Sequence, residues 1–594
     1  MKIKNIIIMF SLIIATMLLL FSCENEGEKK LEKTEFEKLI TSNKDIVIIA
    51  HKAPTGDLAN DQQYEYLKQA SVDIIEWETN PYHITEEAIK KTLSLCQKHD
   101  IGIIICDGDY KNLHVMDDGA IKAAYERYKD YDCVVGYHII DEPSYANQYA
   151  QAIKISQQVD PGSIAQFNFL PIGALPDLME QAEDLLSIVG DDLRYLSYDQ
   201  YPFDTTPGSA PQMFNNMDKF RVLGLKYNID TALYIQSIGS DKYGYRKPTV
   251  AETRYHMSAA LAYGYKNLKF YTWCTTPYNP QFYTDGIIAK DGTPSETFDG
   301  ICEVNADIKK VSRVLANLDA LEIYHNGIRY TATTKLADDW YVRATDKSPF
   351  IVSLMVDRTT NRNYLMFVNK DFQNDVTLQV ELHNINSIQE ITSGDIKNAV
   401  LDANMLSVSM KAGGFALFVL GENDDLRSAP VYDVDMSTNP NYALGKPIYA
   451  SSSVGKAGDY ASKLLDGNTD FATANKGWRS DGNADSGQTN QEWVMVDLLR
   501  SVTIKQIRIA PYYRTAKQMA FTPKNFTIQY SEDGNNWKDA LRVTDCTFNS
   551  EEFKTFDFDE VKCRYVKILF TDLQPISIDG SNRYVVALSE LEIR

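Results

Sequence analysis

The feature that most constrains this chain is an alternation between Asp45 and Pro277, in which eight short β-branched or aromatic runs are separated by seven amphipathic stretches of helical period. The runs are Asp45–His51, Val72–Glu78, Ile101–Asp107, Val134–Asp141, Ile164–Leu170, Tyr195–Tyr201, Thr231–Ser237 and Leu268–Trp273. Strands that alternate with helices are parallel βα units, because a parallel neighbour is reached through a crossover connection. Eight is the closing number of a (β/α)8 TIM barrel, and about 250 residues is its usual size. Its polar residues at the C-terminal strand ends are therefore the ones to interrogate.

A chain of 594 residues exceeds one hydrophobic core, and its remainder changes pattern. The barrel is assigned to residues 35–320, and alternating strands with polar turns over 321–421 read as an all-β sandwich. A turn-rich linker covers 422–440, with Asp424-Asp425, Pro430 and Asn439-Pro440, and an all-strand block fills 441–594. The fold class is multidomain, a TIM barrel followed by two β-sandwiches.

A formal charge of −21 repels phosphate backbones, so nucleic acid is not an expected partner. Eleven per cent aromatic residues, among them 36 Tyr, suit a neutral polysaccharide or glycan, whose C–H faces stack on aromatic rings. The eight His show no HxH or HExxH spacing and the Cys no CxxC spacing, so a catalytic zinc is not expected. Whether Cys546 and Cys563 bridge is left open by the sequence.

Lys2 and Lys4 precede an apolar run from Ile6 to Phe21, which is a signal-peptide pattern over residues 1–22. Leu20-Phe21-Ser22-Cys23 resembles the bacterial lipoprotein box, and Glu24, Glu26 and Glu28 resemble a surface-export tract of the Bacteroidetes type of envelope. The resemblance implies a lipid anchor on Cys23, an acidic tether over 23–34 and a surface-exposed outer-membrane lipoprotein.

At the barrel mouth the sharpest motif is Val135-Gly-Tyr-His-Ile-Ile-Asp-Glu-Pro-Ser144, an apolar strand ending in two carboxylates. Strict alternation places Gly136, His138, Ile140 and Glu142 on one face and Tyr137, Ile139 and Asp141 on the other. A carboxyl in a partly desolvated cleft has the raised pKa that a general acid for a glycosidic oxygen needs. Residues 40 to 320 resemble the glycoside hydrolase clan of (β/α)8 barrels that includes β-galactosidases, in which an acid/base Glu closes strand four. Leu196-Ser-Tyr-Asp-Gln-Tyr-Pro202 and Ala260-Leu-Ala-Tyr-Gly264 add to the likeness. It implies Glu142 as the acid, with Trp273 as a sugar floor.

That clan takes its nucleophile from a Glu at the end of strand seven, where parity here gives Gln236 beside Tyr234. Either another carboxylate serves or the barrel is not a hydrolase. Asp199 is the leading substitute. Glu76, Glu78 and Asp107 are further mouth carboxylates, with His51, His138, Tyr201, Gln236, Tyr271 and Trp273 as substrate-binding wall. The expected function is a glycosidase of a β-linked glycan, galactose among the candidate sugars. The alternative is a glycan-capturing protein with a degenerate barrel.

The last block carries Ala443-Leu-Gly-Lys-Pro447, Leu465-Asp-Gly-Asn468, Glu492-Trp-Val-Met-Val-Asp-Leu498, Phe526-Thr-Ile-Gln-Tyr-Ser-Glu-Asp-Gly534 and Leu588-Ser-Glu-Leu-Glu592. These resemble the discoidin, or coagulation-factor type C, family and imply a jelly-roll-like sugar-binding module. The resemblance also implies a structural Ca2+ on Asp466, Asn468 and Glu590, a hard cation taking oxygen ligands. Trp493 is expected in the core, and Trp478 and Arg479 in a sugar-facing loop.

Overall fold

The computed structural model describes residues 34–594 except 55, 77–83, 205–212, 276–279, 329, 331, 422–440, 456–458, 469–476, 483–490, 513–520, 551, 574 and 579–580. The signal segment, Cys23, the linker 422–440 and Glu78 lie outside the described residues. The chain divides into two units, 1–40 and 41–594. In the first, the one-turn helix α1 (Glu35–Lys38) opens on a capping box between Thr34 and Glu37. Among the described residues no helix is long and apolar enough to cross a membrane.

In the second unit, eight parallel strands close a barrel in chain order: β1 (Val47–His51), β2 (Ile74–Glu76), β3 (Gly102–Ile105), β4 (Val134–Asp141), β5 (Ile164–Phe169), β6 (Tyr195–Asp199), β7 (Asp230–Gln236) and β8 (Asn267–Tyr271). The ring closes where β8 pairs with β1, Val47 opposite Asn267 and Ala50 opposite Phe270. Between the strands run α2 (Asp61–Gln69), α3 (Glu86–His99), α4 (Asp118–Glu126), α5 (Ala150–Val159), α6 (Leu178–Val189), α7 (Met213–Tyr227) and α8 (Val250–Ala262). In α3 the buried Ile89, Leu93 and Cys96 recur at the spacing that gives a helix one apolar stripe. Thr85 caps its first turn and Asp100, in the left-handed region at φ 52°, ends it.

The barrel interior is layered. Ile49, Ile74 and Ile104 form an apolar floor, joined by Val47, Val135 and Ile164. Above it lie polar side chains, among them Glu76, Gln166, Ser197, Lys269 and Tyr234, all essentially sealed from solvent.

Strands between Leu318 and Leu420 form two antiparallel sheets, of six and four strands, over a core that includes Trp340, Phe350, Phe367 and Phe418. This sandwich covers the outer side of α8, where Ser353 donates to Ala262 O at 2.7 Å and Arg254 to Ala412 O at 3.0 Å. That explains why α8 is buried nearly all round. The last block is a seven-stranded antiparallel sheet whose core includes Trp478, Ile507, Phe526 and Phe570. Cys546 and Cys563 are buried free thiols and do not bridge.

Candidate active site at the barrel mouth

Strict alternation fails on β4. His138 pairs with Gln166, but the register then slips, so Ile140 pairs with Phe167 and Asp141 with Asn168. The extra residue is a β-bulge, which turns the end of the strand over. Asp141 thus joins His138 on the inner side, a correction to the alternation expected from sequence. Gly136 sits where this strand presses on β5, and a Cβ there would lie 2.4 Å from Ile164 O.

Glu142 follows the bulge at φ 49°, in the left-handed region that non-glycine residues seldom adopt. Its N–H donates to Asn168 O at 2.9 Å, and its exposed side chain turns to meet Asp199 of β6 in a carboxyl–carboxyl hydrogen bond. Asn168 is the hub of the rim. Its Nδ2 donates to Asp141 Oδ1 at 3.1 Å and lies 3.5 Å from Asp199 Oδ1, while its Oδ1 accepts from Ser197 at 2.8 Å. Desolvation, then the charge of Asp141, raise the Glu142 pKa, and the contact with Asp199 offsets part of this. Asp199 is 9% exposed, and burial with the charges of Glu142 and Asp141 pushes it far above the usual carboxylate range. Both carboxyls are thus pushed upward, and the pair shares one proton.

Glu76, expected in the substrate wall, is spent inside the barrel. Burial alone would raise its pKa, yet Lys269, His51 and Tyr234 hold it well below the usual range. His51 Nδ1 lies at 3.1 Å, the Tyr234 hydroxyl donates at 2.7 Å and Lys269 Nζ at 3.3 Å. Asp107 is likewise occupied, capping the turn Gly108–Asn112 and holding Tyr128 and Arg127. Gln236 is fully buried, its Oε1 accepting from Phe203 N at 2.9 Å and its Nε2 donating to Phe203 O at 3.0 Å and Arg246 O at 2.7 Å. That amide splices two rim loops and has nothing left to offer a ligand. Trp273 is also sealed, packed against Phe298, so it floors no open subsite.

Of the two strand-eight aromatics expected in the wall, Tyr271 stands at the rim and Trp273 does not. Half-buried, it stacks on Tyr201 at 4.8 Å between ring centres and on His51 at 5.6 Å. Tyr201 leads on to Tyr245 at 5.4 Å, and Tyr245 to the 56% exposed Tyr243 at 6.2 Å. Tyr283 closes this aromatic shelf, 6.0 Å from Tyr243. Sequence reasoning passed over Tyr243 and Tyr245, although Tyr243-Gly-Tyr245 directly after strand seven was the available signal. It also passed over Lys269, which shares the face of Tyr271. His138 stands below the rim with an unpartnered Nδ1, and burial lowers its pKa to about 4, so it is neutral near pH 7.

In the last block both tryptophans depart from their expected places. Trp478 is the core residue, stacked near Phe570, with Nε1 donating to Ser452 O at 3.0 Å. Trp493 is half-buried on the outer sheet face near Lys567, whose ammonium lies 3.8 Å from the centre of the Trp537 ring. Arg479 pairs with Asp459 at 3.1 Å.

Asp466 and Glu590 do come together. Gly467 N donates to Glu590 Oε1 at 3.1 Å and Asn468 N to Asp466 Oδ1 at 2.9 Å. Glu590 is 1% exposed, its Oε2 receives no donor, and burial beside Asp466 raises its pKa to about 9. A buried carboxylate with an idle oxygen beside a second carboxylate suits a hard cation, which would relieve both. Among the described residues no three acidic, His or Cys side chains converge, so backbone carbonyls would complete such a shell.

Residues 447–586 match the F5/8 type C domain family, in line with the resemblance read from the sequence. No curated protein matches the chain. Similar solved structures include the family 32 CBM of C. perfringens NanJ in complex with galactose, 17% identical over 25% of this chain and 90% of that one, TM-score 0.19. A Streptococcus pneumoniae fucose binding module is 19% identical over 26% of this chain and 96% of its own, TM-score 0.20. On the barrel side, a β-galactosidase of Marinomonas ef1 is 10% identical over 46% of this chain and 62% of its own, TM-score 0.36. The chain is thus a closed eight-stranded parallel barrel with antiparallel sheets and a C-terminal F5/8 type C domain.

Proposed function

We propose that the barrel is a glycoside hydrolase acting on a β-linked glycan, with Glu142 protonating the glycosidic oxygen. The observation that carries this reading is the pair at the rim: an exposed Glu142 with raised pKa, hydrogen-bonded to a buried Asp199. A general acid must have a proton at hand near the working pH and reach the leaving oxygen, and Glu142, exposed and sharing the proton of the pair with Asp199, meets both needs. The hydrogen-bonded contact is shorter than the separation of about 5 Å in a retaining pair. Asp199 therefore stands behind the acid and resupplies its proton, a different role from a nucleophile across the scissile bond. The shelf of Tyr271, Tyr201, Tyr245 and Tyr243 lines the rim with aromatic rings, and Tyr243, exposed at its outer end, offers a stacking face for a sugar unit, galactose among the candidates.

In this reading the F5/8 type C module holds the enzyme on its glycan. Asp466 and Glu590 hold a structural Ca2+ that neutralises their paired charge, and the chain is exported and lipid-anchored through Cys23. The second reading, glycan capture without turnover, is favoured by Gln236, whose amide is locked to backbone where a nucleophile is expected.

The test is hydrolysis of a panel of 4-nitrophenyl β-glycosides and plant and host polysaccharides, with released reducing ends and affinity measured separately. Turnover that disappears in Glu142→Gln at unchanged folding supports the enzyme. Tight binding with no product from the native protein selects capture. Incorporation of labelled palmitate that persists in Cys23→Ala would refute the anchor.

A further inference from the structure

The loop that carries Glu142 does not end at the barrel. Five residues on, Asn147 Nδ2 donates to Ser453 O of the F5/8 type C module at 2.9 Å. Next to it, Ala146 N donates to Gln181 of α6 at 3.1 Å. Along α6 the module is fastened again: Tyr460 donates to Asp177 at 2.5 Å and Ser453 Oγ to Asp184 Oδ1 at 2.6 Å. Asp184 is fully buried at this contact. At the far end of the helix, Tyr449 packs on Gly190 and meets the Tyr227 ring edge-on at 5.8 Å.

The fit is close enough to dictate sequence. Gly455, at φ 57°, faces this seam, and a Cβ there would lie 2.1 Å from Asn147 Nδ2 and 2.7 Å from Asp184 Oδ2. A surface loop of this length normally opens and closes locally at little cost. Here both ends are tied, by the Asn168 hydrogen bond at Glu142 and by the module at Asn147.

We infer that the docked module is a positioning element for the barrel site: Asn147, Ser453 and Gly455 hold the loop 142–149 so that Glu142 stays against Asp199. This rests on Glu142 as the acid for its effect on turnover, but not for its effect on the loop. A module that only captured glycan would need no such seam, and its loss would weaken binding and spare turnover. Loss of a positioning element does the reverse, because a misplaced acid slows chemistry while sugar contacts persist.

The experiment compares full-length wild type, Gly455→Leu and Asn147→Ala. Amide hydrogen exchange is read by mass spectrometry, and kcat and KM are read on whichever 4-nitrophenyl β-glycoside the wild type cleaves fastest. Expected is exchange about tenfold faster over 142–149 with strand β6 unchanged. A kcat about tenfold lower, with KM within about twofold, is expected alongside. Asn147→Ala guards against failure of the glycine variant to fold. Unchanged exchange over 142–149 in both folded variants overturns the inference, as does raised KM at constant kcat. Faster loop exchange in a protein whose wild type cleaves no glycoside supports the mechanical tie and sinks the hydrolase reading.

Discussion

The ends of β4 and β7 face each other as opposites. At β4 a bulge and a left-handed residue deliver two exposed carboxylates to the rim, one of them hydrogen-bonded to a buried acid. At β7 regular pairing delivers Gln236, whose polar atoms all go to backbone. The first end places reactive groups at some conformational cost, and the second uses its polar group to lower the cost of two loops. Chemistry in this barrel is therefore lopsided, concentrated on strands four to six.

The widest break in this contrast is Glu142→Gln, expected to lower kcat by about 10²–10⁴-fold in steady-state assays. Full activity in that variant would remove the chemical meaning of the β4 end. Next comes Gln236→Glu, which sets a buried carboxylate against the Phe203 and Arg246 carbonyls. A loss of about 3–5 kcal/mol in urea unfolding is expected, with no gain in turnover. Native-like stability with faster hydrolysis would instead mark the β7 end as a dormant nucleophile site.

The seam beyond β4 sharpens the contrast through pH. Asp184 has its pKa raised to about 7 by burial, then partly lowered by Ser453 and the Ala461 N–H, with the charge of Asp459 adding to the rise. Tyr227 and Tyr460 also face it and stay neutral, their hydroxyls pushed up. The unfolded chain releases this proton near pH 4, so the stabilising share of the protonated acid is full below that pH and lost as pH climbs through 7. Stability of the wild type relative to Asp184→Asn should fall between those limits by at most about 4 kcal/mol, read from denaturation at several pH values. A difference independent of pH would show that Asp184 is ionised throughout. Smallest is the cation effect: saturation of the Asp466–Glu590 site at one hundred times its Kd adds about 2.7 kcal/mol, seen as a higher Tm with calcium than with chelator.

Period-two and period-3.6 patterns made the eight strands and their helices legible, and turn chemistry plus family motifs made the last module so. What escaped follows from features those periods do not encode. One inserted residue in β4 moved Asp141 to the inner face, and nothing in Val135–Asp141 announces a bulge. Glu76 read as a mouth carboxylate because parity gives the face but not the depth, and Lys269, 193 residues away in sequence, claims it. Trp478 and Trp493 differ from expectation because both lie in strands whose inner face is set by partners distant in the chain. Asp199 beside Glu142 was expected, but their direct contact was not, since strand order fixes neighbours and leaves separations open.

Asn168 has one more consequence. Because a single residue touches Asp141 and Ser197 through its side-chain amide and Glu142 through its backbone carbonyl, and lies near Asp199, the acids of strands four and six share one frame of reference. Thermal breathing of the cylinder then carries them together, so their mutual spacing is insulated from distortions that would blur a site assembled from unconnected strands.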